Sequence, residues 1–144
     1  MDAAPRTPVA VLVTTVRREQ RGVLATTAAN GAPEAALVGL AALDDGTLVL
    51  NAPASARKIA NIRRQPRVAL VIGAGPARSL QLEGVAEVLD GDDRIRFAAA
   101  YDVQFPGSRS LAEGFVVIAV RPQWIRDYDV EREPHAIETE LPAR

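Results

Sequence analysis

The sequence predicts a mainly β fold with inserted helices, a closed or nearly closed antiparallel barrel of six or seven strands. Three features of the chain lead there. Short apolar runs are separated by tight-turn signals, Asn30-Gly31 and Asp44-Asp45-Gly46 among them, which join strands as hairpins. Helical periodicity interrupts these runs at only three places. Two of the first three strand connections are too short for the helical crossover that parallel strands require, which excludes a doubly wound parallel sheet.

The elements follow in order. Thr7 to Gln20 carries Val9, Leu12, Val13 and Val16 at helical spacing, ends on Arg17, Arg18 and Glu19, and stops at Gly22. Gly22 to Ala28 and Pro33 to Leu43 form a hairpin about Asn30-Gly31, a pair suited to the positive φ angles of a type I′ turn. Thr47 to Asn51 then completes a three-stranded meander. After Pro53 the period changes: Ser55 is an N-cap residue, Ile59 and Ile62 fall three apart, and Pro66 ends a short helix. Arg67 to Gly73 is a continuous apolar strand. Ser79 to Leu89 alternates, with Leu80, Leu82, Ala86 and Val88 on one face and Gln81, Glu83 and Glu87 on the other. Asp92 caps a third helix, in which Phe97, Tyr101 and Phe105 make one row until Pro106-Gly107 breaks it; the row reads as core packing. Phe115 to Val120 is a sixth strand and Trp124 to Tyr128, past Pro122, a seventh. From Asp127 to Glu140 six acids stand against one base, Arg132. The expectation is a domain over residues 1–128 and an acidic, partly disordered tail over 129–144.

Composition bounds the function. The chain of 144 residues is about one domain, long enough to bury a core without a metal or disulfides. It has no cysteine, which excludes a disulfide framework, Cys-ligated zinc, an iron–sulfur cluster and a thiol nucleophile. A net charge of -1 is far from the basic balance of a nucleic-acid binder, so no nucleic-acid partner is expected. The apolar stretch from Val9 to Val16 is too short to span a bilayer, so no membrane association is expected and the default location is cytoplasmic. A single histidine, His135, lies in the acidic tail and reads as a surface residue. It can supply neither a triad nor a metal site, so no catalytic residue and no metal ligand is assigned.

One constellation resists a purely structural reading. Arg57, Lys58, Arg63, Arg64 and Arg67 place five bases in eleven residues with no acid among them, and Lys58 is the one lysine of the chain. Arg63 and Arg64 end the helix, in keeping with its dipole, whereas Arg57 and Lys58 in the first turn oppose it. An anion there removes the conflict. A phosphate would receive free backbone N–H groups, the Ser55 hydroxyl and two cationic side chains together.

The same residues carry a family resemblance. The segments Gly22-Val-Leu-Ala-Thr-Thr-Ala, Asn30-Gly31-Ala-Pro33, Asp45-Gly46-Thr-Leu-Val-Leu-Asn51, and Ser55-Ala-Arg57-Lys58-Ile-Ala-Asn61 through Pro66-Arg67-Val resemble the pyridoxamine 5′-phosphate oxidase-like family, split β-barrels that bind flavins or deazaflavins. Leu82 to Glu87 and Val120 to Arg126 are similar to its later strands. The resemblance runs from about residue 10 to 128. It implies a six- or seven-stranded antiparallel split β-barrel and a homodimer with two cofactor sites between subunits. Its flavin phosphate would rest on Arg57 and Lys58 beside Ser55. The isoalloxazine would be lined by main chain around Val38 and at Asn51 and Ala52. The fifth strand would contribute Ser79 or Gln81, and Trp124 would close the pocket from the second subunit. The implied cofactor is FMN, with coenzyme F420 as the alternative, and the implied activity is hydride transfer to or from a small-molecule substrate. A non-catalytic flavin- or haem-binding protein is the other outcome. The sequence departs from genuine pyridoxamine-phosphate oxidases at Ala36 and Ala41, where those carry Arg and Lys, and at Trp124 to Asp129, which lacks their substrate-gripping histidine.

Overall fold

A computed structural model describes residues 6–143; residues 1–5 and 144, the outer ends of the two expected units, lie outside the described residues. The element order is α1 (Pro8–Glu19), β1 (Arg21–Thr27), β2 (Pro33–Gly39), β3 (Ala41–Ala42), β4 (Leu48–Pro53), α2 (Arg57–Arg64), β5 (Arg67–Gly73), β6 (Arg78–Val88), α3 (Gly91–Gln104), β7 (Phe115–Asp129) and β8 (Ala136–Glu140). The strands form one antiparallel sheet in the order β2-β1-β5-β6-β7-β4-β3, with β8 paired to the second half of β7. Among the described residues no helix is long and apolar enough to cross a membrane.

Closure follows from connectivity. β2 ends at Gly39 on one edge of the sheet and β3 begins at Ala41 on the other, so the single residue Leu40 links opposite edges. Consecutive Cα atoms lie about 3.8 Å apart, which holds the two edges within about 8 Å of each other there. The sheet must therefore curl into a barrel, and Leu40 is fully buried. Away from this link no ladder joins β2 to β4 among the described residues, and the barrel is split along that seam.

Period-two alternation fills the interior. Leu24, Leu48, Leu50, Leu70, Ile72, Leu80, Leu82, Ile118 and Val120 form one buried cluster with Leu12, Val13 and Val16 of α1 and Ile59 and Ile62 of α2. Each such side chain contributes about 1.5–3 kcal/mol on burial. A second cluster lies outside the barrel, where Phe97, Ala98 and Tyr101 of α3 cover Ala41, Val49, Val117 and Ala119. Tyr101 and Phe105 stack at 4.4 Å between ring centroids, so the aromatic row is packing, as expected.

Several expectations are corrected. α1 is capped by Thr7, whose Oγ1 accepts from the Ala10 N–H at 3.1 Å, and it stops at Gln20 in the left-handed region, not at Gly22. Gly22 lies inside β1, where an added Cβ would come within 2.8 Å of the Val71 carbonyl oxygen. The first hairpin has a three-residue loop of Ala29, Asn30 and Gly31 in place of a type I′ turn: Asn30 Oδ1 accepts from the Ala32 N–H at 3.0 Å, and of the two only Gly31 takes positive φ. Pro33 to Leu43 is two strands, because the chain changes sheet edge at Leu40. α3 begins near Asp90, which places Asp92 and Asp93 in its first turn, where they suit the dipole.

The sixth and seventh expected strands are one, β7, which absorbs Pro122 at a register shift opposite Glu83/Gly84. Gly84 is required there, since a Cβ would meet the Arg121 carbonyl oxygen at 2.5 Å. The 128/129 boundary falls inside β7, and Ala136–Glu140 of the tail form β8, paired with β7. Arg132 fixes the turn between them. Its Nη2 donates to the carbonyls of Asp127 and His135 at 2.8 and 3.1 Å, and its Nη1 lies 3.4 Å from Asp127 Oδ1.

Candidate functional site: a basic helix start beside the seam

α2 opens on Arg57 and Lys58, with Ala56 at the cap position and no side chain capping the helix. The expected Ser55 cap is thereby corrected: helical geometry begins two residues later, and Ser55 is exposed in the preceding turn. The first-turn N–H groups have no side-chain acceptor, and two cations sit at the positive end of the helix dipole.

A cleft of about 270 Å³ opens at this helix start, walled by Leu24 and Thr26 of β1, Glu34, Ala35 and Ala36 of β2, and Arg57 and Lys58. Period two on β2 sets Glu34, Ala36 and Val38 on one face. Val38 runs into the core at 8% exposure, while Glu34 and Ala36 stop at the cleft. Glu34 is the residue that the local sequence window missed. Its Oε2 lies 3.1 Å from Arg57 Nε, and its Oε1 accepts from Asn61 Nδ2 at 3.1 Å. Asn61 is buried, donates also to Thr26 Oγ1 at 3.0 Å, and accepts from Arg64 Nη2 at 3.2 Å. The signal was the hairpin register that sets Glu34 opposite Thr26, two positions before Ala36 on the inward face. Lys58 has no ion-pair partner among the described residues.

The remaining candidate residues fall into two groups. Val38 and Ala52 have side chains in the barrel core, and the Asn51 side chain turns outward to donate to Ser110 Oγ at 2.8 Å. All three can therefore offer a ligand only main chain, and Asn51 to Pro53 lie past the end of the β3 ladder, along the open seam. Ser79, Gln81 and Trp124 are elsewhere, on the outward face of β6 and β7 opposite Gly73, Val71 and Glu83. None of the three lines the clefts that hold Arg57 and Lys58, so one chain alone does not assemble the nine residues.

The donor set at the helix start fits a phosphate: uncapped amides, one cation without an ion-pair partner, a second held by a single carboxylate, and small alanines that leave room. Ala41 is not part of it. It is fully buried beneath α3, where a lysine would enter an apolar cluster.

The sequence profile of a family described as pyridoxamine 5′-phosphate oxidase matches residues 10–129. A comparison with curated proteins finds no match. Three solved structures illustrate the fold. A haem-binding protein from Mycobacterium smegmatis is 24% identical with a TM-score of 0.77 over 95% of this chain, which spans 60% of that protein's length. An F420 reductase is 25% identical with a TM-score of 0.64, covering 78% of this chain and 93% of its own. A pyridoxamine 5′-phosphate oxidase-related, FMN-binding protein from Nostoc punctiforme is 15% identical with a TM-score of 0.66, covering 99% of both chains.

Proposed function

This chain belongs to the pyridoxamine 5′-phosphate oxidase family, with its split β-barrel fold, and from that premise we propose that it is an FMN-binding oxidoreductase that moves hydride to or from a small substrate. The observation that carries the reading is the Arg57–Lys58 pair at an uncapped helix start, on the wall of a cleft beside the barrel's seam. A bound flavin supplies the hydride chemistry, while the protein binds it, orients it and excludes water.

In this reading Arg57, Lys58 and the first-turn amides of α2 hold the terminal phosphate, with Ser55 beside them. Main chain at Val38, Asn51 and Ala52 lines the ring. Ser79, Gln81 and Trp124 come from a second copy of the chain, which brings the two groups of residues together in a homodimer. The outward row Leu37, Val23 and Val71 supports that partner: these cross-strand neighbours are 66%, 41% and 46% exposed. Oxidation of a vitamin B6 phosphate is outside the proposal, because Ala36 supplies no cation at the cleft and Trp124 to Asp129 contains no histidine.

A second reading, a reductase that uses the deazaflavin F420, is favoured by Glu34. Its carboxylate beside Arg57 lowers the net positive charge at the cleft, while the bases down α2 suit a longer acidic ligand. Titration with FMN, FAD, F420 and haem, followed by absorbance or fluorescence, separates the readings. FMN binding at about micromolar Kd or tighter, with reduction by NAD(P)H, supports the first; F420 alone supports the second. Binding of flavin or haem without turnover makes the chain a carrier. Replacing Arg57 and Lys58 together with Gln should weaken cofactor binding at least about a hundredfold, from charge-assisted bonds of about 1.5–3 kcal/mol each. Unchanged affinity would remove the pair from the site.

A further inference from the structure

We propose that Glu34 is a built-in competitor at the anion site, a carboxylate that holds Arg57 until a phosphate displaces it and so limits how tightly the site grips the phosphate end of its ligand. This rests on the phosphate-grip reading of Arg57 and Lys58 given above.

The geometry assigns the two partners unequal freedom. The Arg57 side chain is 83% exposed, whereas that of Glu34 is 21% exposed and is held from behind by Asn61, itself pinned by Thr26 and Arg64. When an anion draws Arg57 away, the guanidinium moves and the carboxylate stays. Its negative charge then remains in the cleft wall, sheltered from solvent and facing the incoming phosphate, where screening is weaker than at the surface. Neither Ala35 nor Ala36 offers a cation to offset it. The cleft therefore presents two cations and one fixed anion, and the ligand's phosphate contributes less to binding than the Arg-Lys pair alone would give.

Glu34→Gln removes the charge and keeps an Oε1 that can accept from Asn61. FMN and riboflavin, which share the ring and differ in the phosphate, are titrated into wild type and E34Q by flavin fluorescence; if F420 is the ligand bound, F420 and its own phosphate-free deazaflavin chromophore replace the pair. E34Q should bind the phosphate-bearing ligand about tenfold more tightly and riboflavin within about twofold of wild type, and adding Arg57→Gln to E34Q should abolish the gain. Melting temperatures report whether the Asn61 contact survives; if E34Q melts early, both proteins are titrated at a temperature well below its midpoint, where both are folded. Unchanged or weaker phosphate-ligand binding in the variant, with wild type still preferring FMN over riboflavin, would overturn the competitor and make Glu34 a positioning residue for Arg57. If neither protein binds FMN or F420, the phosphate grip falls, and this proposal with it.

Discussion

The outer surface of the barrel is treated in two opposite ways. Over β3, β4 and β7 the outward residues Ala41, Val49, Val117 and Ala119 are fully buried, because α3 lays Phe97, Ala98 and Tyr101 across them. Over β2, β1 and β5 the outward row Leu37, Val23 and Val71 is as apolar and nothing among the described residues covers it. Flanking alanines, Ala35, Ala25 and Ala69, extend that second face in the next register row. The same strand patterning thus produces one face closed by the chain itself and one left for something else. Apolar residues at outward positions are informative only with the cover identified.

Breaking the covered face should have the larger effect. Tyr101, 7% exposed, fills the space between α3 and the sheet, and Tyr101→Ala leaves a cavity there. The expected loss is about 3–5 kcal/mol of unfolding free energy, read from urea denaturation, with no change of oligomeric state. On the open face, Leu37→Lys with Val71→Lys should leave the urea midpoint nearly unchanged. Light scattering should then show a shift from twice the 15.3 kDa chain mass to the single chain, with the dimer dissociation constant raised at least about a hundredfold. Cofactor affinity should fall with it if, as proposed, Gln81 and Trp124 come from the second copy. A double variant that stays dimeric would detach the open face from assembly, and the two faces would cease to differ in function.

The contrast also marks how far the sequence could be read. Among the described residues every helix, and every strand but β8 and β3, which merges with β2 into one apolar run, is visible in the linear pattern, because alternation and helical spacing are local properties of the chain. Boundaries fail where a distant contact decides them. Leu40 divides one apolar run into two strands only because the sheet's far edge receives Ala41, and Pro122 stays inside β7 only because Gly84 yields across the ladder. The candidate site follows the same rule. Arg57 and Lys58 stand out in a short window, but the acid that answers Arg57 comes from β2, and the window from Arg57 to Arg67 shows bases alone. Acidity after Asp127 likewise reads as a solvated tail until Arg78 and Arg132 are seen to meet that carboxylate from either side.

That last contact supplies a third kind of cover and the smallest predicted effect. β4 pairs with the first half of β7 and β8 with the second, so the tail closes a strand edge that the barrel leaves open. Asp127, two-pronged to Arg78 at 3.0 and 2.7 Å, ties that region together. Burial pushes its carboxyl up, but the hydrogen bonds and charge of Arg78, aided by Arg132, outweigh burial and hold it below the ordinary value of 3.8. A carboxyl whose folded pKa is lowered contributes stability that is fully present above its unfolded pKa. That contribution is lost as pH falls through the folded value. Asp127→Asn should therefore cost about 1–2 kcal/mol at neutral pH, with faster amide exchange in β8. The gap between variant and wild type should narrow as urea unfolding is repeated at pH values falling below 3.8. If the two proteins lose stability in parallel over that range, the ladder alone holds β8, and its cover of the β7 edge owes nothing to the half-buried carboxylate.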